Sequence, residues 1–278
     1  MQAHELKQKS IHYRRSILDM IKASGAGHTG GSLSCVDILN VLYNHVMRID
    51  PAHPRDPDRD RYIQSKGHSV EALYAVLADK GFFPEADLRT LNQYQSPYIG
   101  HPTRSVSGIE QNTGALGHGL SLAVGTALAA KLDGKRYRVY TLLGDGELAE
   151  GSSWEALMTA AHYQLDNLTI IIDRNRLQIT GSTETVNALE PLEAKFAAFG
   201  AAVRQCDGND IDALMQLFDA TPFEAGKPSL ILANTVKGKG ISFMENIPGW
   251  HHHVPTDDEY QRALNELDAQ EAVTYGTR

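Results

Sequence analysis

Val139-Tyr140-Thr141-Leu142-Leu143-Gly144-Asp145-Gly146 and, further on, Leu168-Thr169-Ile170-Ile171-Ile172-Asp173-Arg174-Asn175-Arg176-Leu177 decide the fold of this chain. Each is a short apolar, β-branched run that ends on a polar turn, and the helical stretch Ser153–Leu165 lies between them. That pattern is one βαβ unit, which puts Asp145 and, thirty positions later, Asn175 on the same edge of a parallel sheet. A carboxylate, an amide oxygen and the Leu177 carbonyl could then ligate one hard divalent cation. On these residues alone, two ordinary turns explain the pattern as well.

The alternation continues outward. Further β-rich runs lie at Ala201–Gln205 and Ser229–Thr235, with helical patterns at Glu190–Phe199 and Asp210–Ala220. Together they predict an α/β fold with a doubly wound, mainly parallel sheet and helices on both faces. Ligands of such sheets bind beyond the carboxyl ends of the strands. Toward the N-terminus, helices are expected near His4–Ala23, Ser34–His45 and Ser69–Lys80, and a small-residue helix at Gly119–Leu132. Asp50–Arg61, with four Asp, three Arg and three Pro, is expected to be irregular. No repeat or linker divides the chain, so residues 1–278 are expected to form a single domain.

Composition narrows the function. A net charge of −8 without basic runs gives no footprint for a phosphate backbone, so nucleic acid is not an expected partner. The first ten residues lack the apolar core of a signal peptide, and no stretch reaches the roughly 18 apolar residues of a membrane span. A cytoplasmic protein is expected, with no membrane partner. Cys35 and Cys206 stand far apart and are expected to be buried thiols rather than a disulfide or a zinc pair.

Several loops carry chemistry-bearing residues. Gly25-Ala26-Gly27-His28-Thr29-Gly30 matches a dinucleotide fingerprint in spelling, but it follows a helix rather than a strand, so that mechanism is absent. It reads as a flexible loop placing His28, or as a surface turn. Gly114-Ala115-Leu116-Gly117-His118-Gly119 leads into a helix N-terminus, which offers N–H groups to an anion or a polar ring edge. His28, His68, His101, His118 and His251 all stand beside glycine, proline or tryptophan in expected loops, a set suited to a substrate bearing hydroxyls and a carbonyl. Lys237-Gly238-Lys239-Gly240 follows the last strand and is either an anion clamp or an exposed basic turn. His251-His252-His253 is not read as a metal site, because three adjacent side chains do not all turn toward one ion without a special backbone.

Taken in order, these motifs resemble the N-terminal half of the transketolases. The stretches are Ser24–Gly31, Ser65-Lys66-Gly67-His68, Gly100-His101-Pro102, Thr113–Gly119, Gly144–Gly151, Asn175–Gly181 and Lys237–Gly240 with Trp250-His251. The resemblance implies a thiamine diphosphate-binding domain in which Asp145, Asn175 and the Leu177 carbonyl hold Mg²⁺, or Ca²⁺ or Mn²⁺ in its place. It implies that His68, Gly146, Lys237 and His251 approach the diphosphate and that Gly114 and Leu116 meet the aminopyrimidine end. It further implies that His28, His101 and His251 act on the substrate, and that Glu150 and Glu155 lie toward the contact between two cofactor sites.

The implied activity is transfer of a two-carbon ketol unit from a ketose, expected to be a sugar phosphate, to an aldose. No counterpart of the family's pyrimidine-binding domain is found before Arg278. The expectation is therefore a split enzyme, active only with a separate C-terminal subunit, in an α2β2 hetero-oligomer. Two departures from the family pattern concern local contacts: Ser69-Val70-Glu71 after His68, and His118 where several members have Gln. Alternatives are the α subunit of a 2-oxo acid dehydrogenase, which shares the metal motif, and a non-catalytic cofactor-binding half-domain.

Overall fold

The structure is a computed structural model that describes residues 1–276. Its centre is a five-stranded parallel sheet built from β1 (Arg61–Gln64), β2 (Val139–Gly144), β3 (Leu168–Arg174), β4 (Ala202–Asp207) and β5 (Ser229–Asn234), in the order β1-β2-β3-β5-β4. The helices are α1 (Ala3–Ser24), α2 (Thr29–Val41), α3 (Val70–Asp79), α4 (Gly119–Leu132), α5 (Gly151–His162), the short α6 (Thr183–Val186), α7 (Leu192–Ala198), α8 (Ile211–Asp219) and α9 (Asp257–Gly276).

The period of two in the strands sorts the core. Tyr62, Tyr140, Leu142, Ile171, Ile231 and Ala233 face α1, α2, α3, α8 and α9. Ile63, Val139, Leu143, Ile170, Ile172, Leu230 and Leu232 face α4, α5 and α7. Central strands covered on both sides are apolar on nearly every residue, which is why β2 and β3 are buried from end to end.

Local signals set several boundaries. Asp210 opens α8 by accepting from the Asp212 and Ala213 amides at 2.9 and 3.2 Å, and Glu5 reaches back to the Gln2 amide at 2.7 Å to close the first turn of α1. Two expectations need correction. Asp50–Arg61 is irregular up to its last residue, but Arg61 begins β1, an edge strand of four residues too short to show alternation. The α2 helix starts at Thr29, five residues before the expected Ser34, so Gly30 and Gly31 are helical rather than loop.

Packing explains the second shift. A Cβ added at Gly30 would lie 3.0 Å from the Trp250 carbonyl, so tertiary approach overrides the poor helix propensity of glycine. Cys35 is buried and Cys206 half-buried, both as free thiols. Among the described residues no helix is long and apolar enough to cross a membrane.

Candidate functional site

The carboxyl ends of β1, β2, β3 and β5 open onto one cavity of about 430 Å³, lined among others by Lys66, His68, Asp145, Asn175, Leu177 and Lys237. Its floor rests on a buried ion pair. Lys66, just beyond β1, binds Asp173 of β3, which also accepts from Ser34 Oγ of α2 at 2.6 Å and from Thr235 Oγ1 beyond β5. Burial works against the Lys66 charge, but Asp173 outweighs it and holds the ammonium above its ordinary range.

A second buried carboxylate joins the flanking loops. Glu147 accepts from Ser65 Oγ, from the Gly117 amide at 2.8 Å and from the Gly144 amide at 3.0 Å, while the Gly119 amide donates to Ser65 Oγ at 3.1 Å. Burial pushes the Glu147 carboxyl up, against the pull of these donors. The N–H groups expected to be free at the start of α4 are thus partly spent inside the protein. Gly114 has φ 142°, and a Cβ there would meet His101 Cδ2 at 2.7 Å, so the loop needs glycine twice over.

Asp145 and Asn175 both line the cavity, just beyond the adjacent ends of β2 and β3, as the βαβ reading requires. Asp145 is 2% exposed. Its Oδ2 accepts from the Arg176 amide at 2.5 Å and Arg174 Nη1 at 3.1 Å, and its Oδ1 from the Gly146 amide at 2.8 Å. Burial and the neighbouring Asp173 charge push its carboxyl up. Asn175 Oδ1 accepts from the Leu177 amide at 3.1 Å, and the Leu177 carbonyl accepts from Lys237 Nζ at 3.3 Å. A carboxylate, an amide oxygen and a carbonyl, with an ammonium already drawn to one of them, are the donor set of a hard divalent cation.

Lys237 is buried, and Nζ also lies 2.8 Å from His251 Nδ1. Burial, then the Lys66 charge, lower its ammonium to about 8. Lys239 turns away, its ammonium 3.6 Å from Glu245, so only half of the Lys-Gly-Lys-Gly turn serves the cavity.

Imidazoles form the other wall. The His28 ring lies 5.1 Å from His68, 6.1 Å from His101, 5.5 Å from His251 and 3.9 Å from His252. Burial, then the facing imidazole of His252, lowers His28 to about 3. Burial, then Lys237, lowers His251 to about 3, and burial lowers His68 and His101 as well. Neutral rings can donate through one nitrogen and accept through the other, which suits a polyhydroxylated substrate.

Gly114, Leu116 and Gly146 line the cavity as expected, whereas Glu150 and Glu155 are exposed and His118 is turned out with Nδ1 at 2.9 Å from the Leu116 carbonyl. Three supporting residues escape sequence reasoning. Glu147 and Arg174 sit inside the quoted stretches, and their signal is a charge embedded in or beside an apolar run. Arg174 binds Asp145, Glu184 and Glu190, the last two at 2.9 Å, and so ties the segment after β3 to Asp145. Fully buried Glu71 accepts from the His28 amide at 3.1 Å and Ser32 Oγ at 2.7 Å, giving the departure at Ser69-Val70-Glu71 a role in seating His28.

Residues 6–272 match the family model described as transketolase, thiamine diphosphate binding domain. The chain is 46% identical to an apulose-4-phosphate transketolase subunit of Phocaeicola vulgatus, over 96% of this chain and 95% of that protein. It is 43% identical to a 6-deoxy-6-sulfo-D-fructose transketolase subunit of a Clostridium species, over 96% of this chain and 98% of that protein. Among solved structures, the transketolase of Pichia stipitis in complex with sedoheptulose 7-phosphate superposes with a TM-score of 0.89 at 29% identity, covering 97% of this chain and 43% of that one. The Campylobacter jejuni transketolase gives a TM-score of 0.84 at 29% identity, covering 98% of this chain and 48% of that one. The chain therefore spans about half the length of those solved transketolases.

Proposed function

Because this chain belongs to the transketolase family, we propose that it is the N-terminal, diphosphate-binding subunit of a split transketolase, folded as one domain over residues 1–278. The observation that carries this reading is the meeting, on one sheet edge, of an oxygen donor set, a buried ammonium and a wall of neutral imidazoles. Support for the split arrangement comes from relatives of matching length that are themselves named as single subunits of a transketolase.

Asp145, Asn175 and the Leu177 carbonyl would hold Mg²⁺, and Lys237, His68, His251 and Gly146 would surround the diphosphate. The residues fit that group: a buried carboxylate pushed up by desolvation and by Asp173 gains most from a cation, and Lys237 supplies positive charge to an anion beside it. Gly114 and Leu116, which line the same cavity, would receive the aminopyrimidine end. Bound thiamine diphosphate supplies the nucleophilic carbon and the electron sink for breaking and making C–C bonds.

This chain's own residues orient the substrate and move protons. His28 and His251, uncharged at neutral pH, accept a hydroxyl proton from the donor ketose and return one to the acceptor aldehyde oxygen, and His101 positions the sugar chain behind them. The transferred unit is two carbons, passing from a ketose, which we take to be a sugar phosphate, to an aldose. The C-terminal partner completes the site, in an α2β2 assembly that brings the cofactor's pyrimidine end under its control. The relatives named above are transketolase subunits, which favours this reading over a 2-oxo acid dehydrogenase or a non-catalytic half.

The test is reconstitution. The purified chain alone is expected to show no ketol transfer, and addition of the C-terminal chain with Mg²⁺ and thiamine diphosphate is expected to restore it. Full activity of the isolated chain, or none in the assembled pair with any phosphorylated ketose, would refute the proposal.

A further inference from the structure

We propose that His28, His251 and His252 form a second cation site, made of imidazole alone and suited to a borderline divalent ion such as Zn²⁺ or Co²⁺. One ring nitrogen of each lies within 4.8 Å of the other two. The convergence has a backbone cause. His28 is the N-cap residue just before α2, and the short helical turn Pro248–His251 ends at His251, so that His252, at φ −120° and ψ 4°, turns its ring back to 5.1 Å from that of His251. His253 leaves the group: its ring packs on Trp250 at 4.4 Å and its Nε2 meets Glu259 at 3.1 Å. Two adjacent histidines therefore face one point, and the third ligand comes from another segment.

The geometry is close to a metal site without being closed. Zinc–nitrogen bonds of about 2.0–2.1 Å set tetrahedral ligand nitrogens about 3.3 Å apart. Closing the present spread takes a shift of at most about 1.5 Å, which exposed His252 can make by changing rotamer, since it makes no hydrogen bond among the described residues. Lys237 donates to His251 Nδ1, so an ion on Nε2 shifts the ring proton to Nδ1, and Lys237 gives up that bond and keeps the Leu177 carbonyl. Neutral ligands and a nearby ammonium make the site weaker than a closed structural one, with its fourth position open to water.

Ligand chemistry separates this site from the oxygen set. Imidazoles select zinc, cobalt and copper, whereas carboxylate, amide and carbonyl oxygens select magnesium. A rival cluster, His12, Asp79 and Glu85, is poorer because Asp79 already accepts from Lys9 at 2.6 and 2.7 Å and from Tyr13 at 2.5 Å. Occupation of the imidazole site would block the rings assigned above to the ketose. That consequence rests on the proposed transfer reaction; the binding does not.

The experiment is a Co²⁺ titration of the full chain, without a polyhistidine tag and with excess Mg²⁺ to occupy oxygen ligands. Low-coordinate, nitrogen-ligated Co²⁺ gives strong visible absorption, and oxygen-ligated octahedral Co²⁺ gives little. The band is expected at one equivalent, with affinity at least about tenfold weaker in H252A and unchanged in H253A. Absence of the band, equal titration of H252A and the parent chain, or equal loss in H253A would overturn the proposal. Because the readout is spectroscopic, failure of ketol transfer and failure of this site are distinguishable.

Discussion

Replacing Lys66 by Met tests the floor of the cavity directly. Lys66 is 1% exposed and Asp173 0%, so neither charge has water to fall back on. In the variant, Asp173 keeps only the hydroxyls of Ser34 and Thr235, and its charge is left uncompensated in the interior. Breaking a buried pair from one side costs about 3–5 kcal/mol, or two to four powers of ten in the folding equilibrium. For a chain of this size that lowers the melting temperature by roughly 5–9 °C. The assay is urea denaturation with matched m-values, run on the parent, K66M and the double variant K66M/D173N. Asn at 173 accepts from one hydroxyl through its Oδ1 and donates through its Nδ2 to the other, which turns to accept, so the site is satisfied without the charge and the double variant is expected to recover more than half the loss. A single-variant loss below about 1 kcal/mol, or a double variant no better than the single, would refute the idea that this pair is electrostatically closed.

The proposed cation site and the imidazole wall give further tests. Asp145→Ala is expected to abolish Mg²⁺-dependent thiamine diphosphate binding in the assembled enzyme, measured by calorimetry, and unchanged affinity would remove the assignment. Lys237, lowered to about 8 in the free protein, carries its charge below that pH and loses it above. Diphosphate affinity is therefore expected to be flat below about 8 and to weaken as pH rises through it, with the break absent in K237M. His28→Ala is expected to reduce turnover of the ketose far more than cofactor affinity; the reverse pattern would place that loop with the cofactor.

Much of this is legible in the sequence because the central strands are covered on both faces and so spell themselves as apolar runs. Asp145 and Asn175 can be paired from spacing alone, since one βαβ crossover leaves little freedom in where two strand ends meet. β1 is hidden because an edge strand of four residues, entered through the charged Asp50–Arg61 segment, has neither length nor periodicity to show. The start of α2 is displaced because glycine spells loop, while here it permits contact with the Trp250 carbonyl. The partners of Glu147, Glu71 and Arg174 are hidden for a different reason, although a charge in or beside an apolar run marks the first and the last as residues to watch. Those partners, Ser65, the amides of Gly117 and Gly144, His28, Ser32 and Asp145, come largely from other segments, and no local pattern announces such a meeting.

The contrast between the cavity's two walls bears on how such a protein can change. On the floor, backbone meets backbone: a Cβ at Gly67 would lie 2.8 Å from the Gly114 amide nitrogen, and the buried charges of Lys66, Asp173 and Glu147 are each spent on partners from several strands and loops. A substitution there must be answered in two or three places at once. The imidazole rim depends on side chains that stand at helix ends and on an exposed turn, where one replacement disturbs little else. New preferences in what the cavity takes should therefore arise first by exchange at positions such as His252, with the buried floor left as it is.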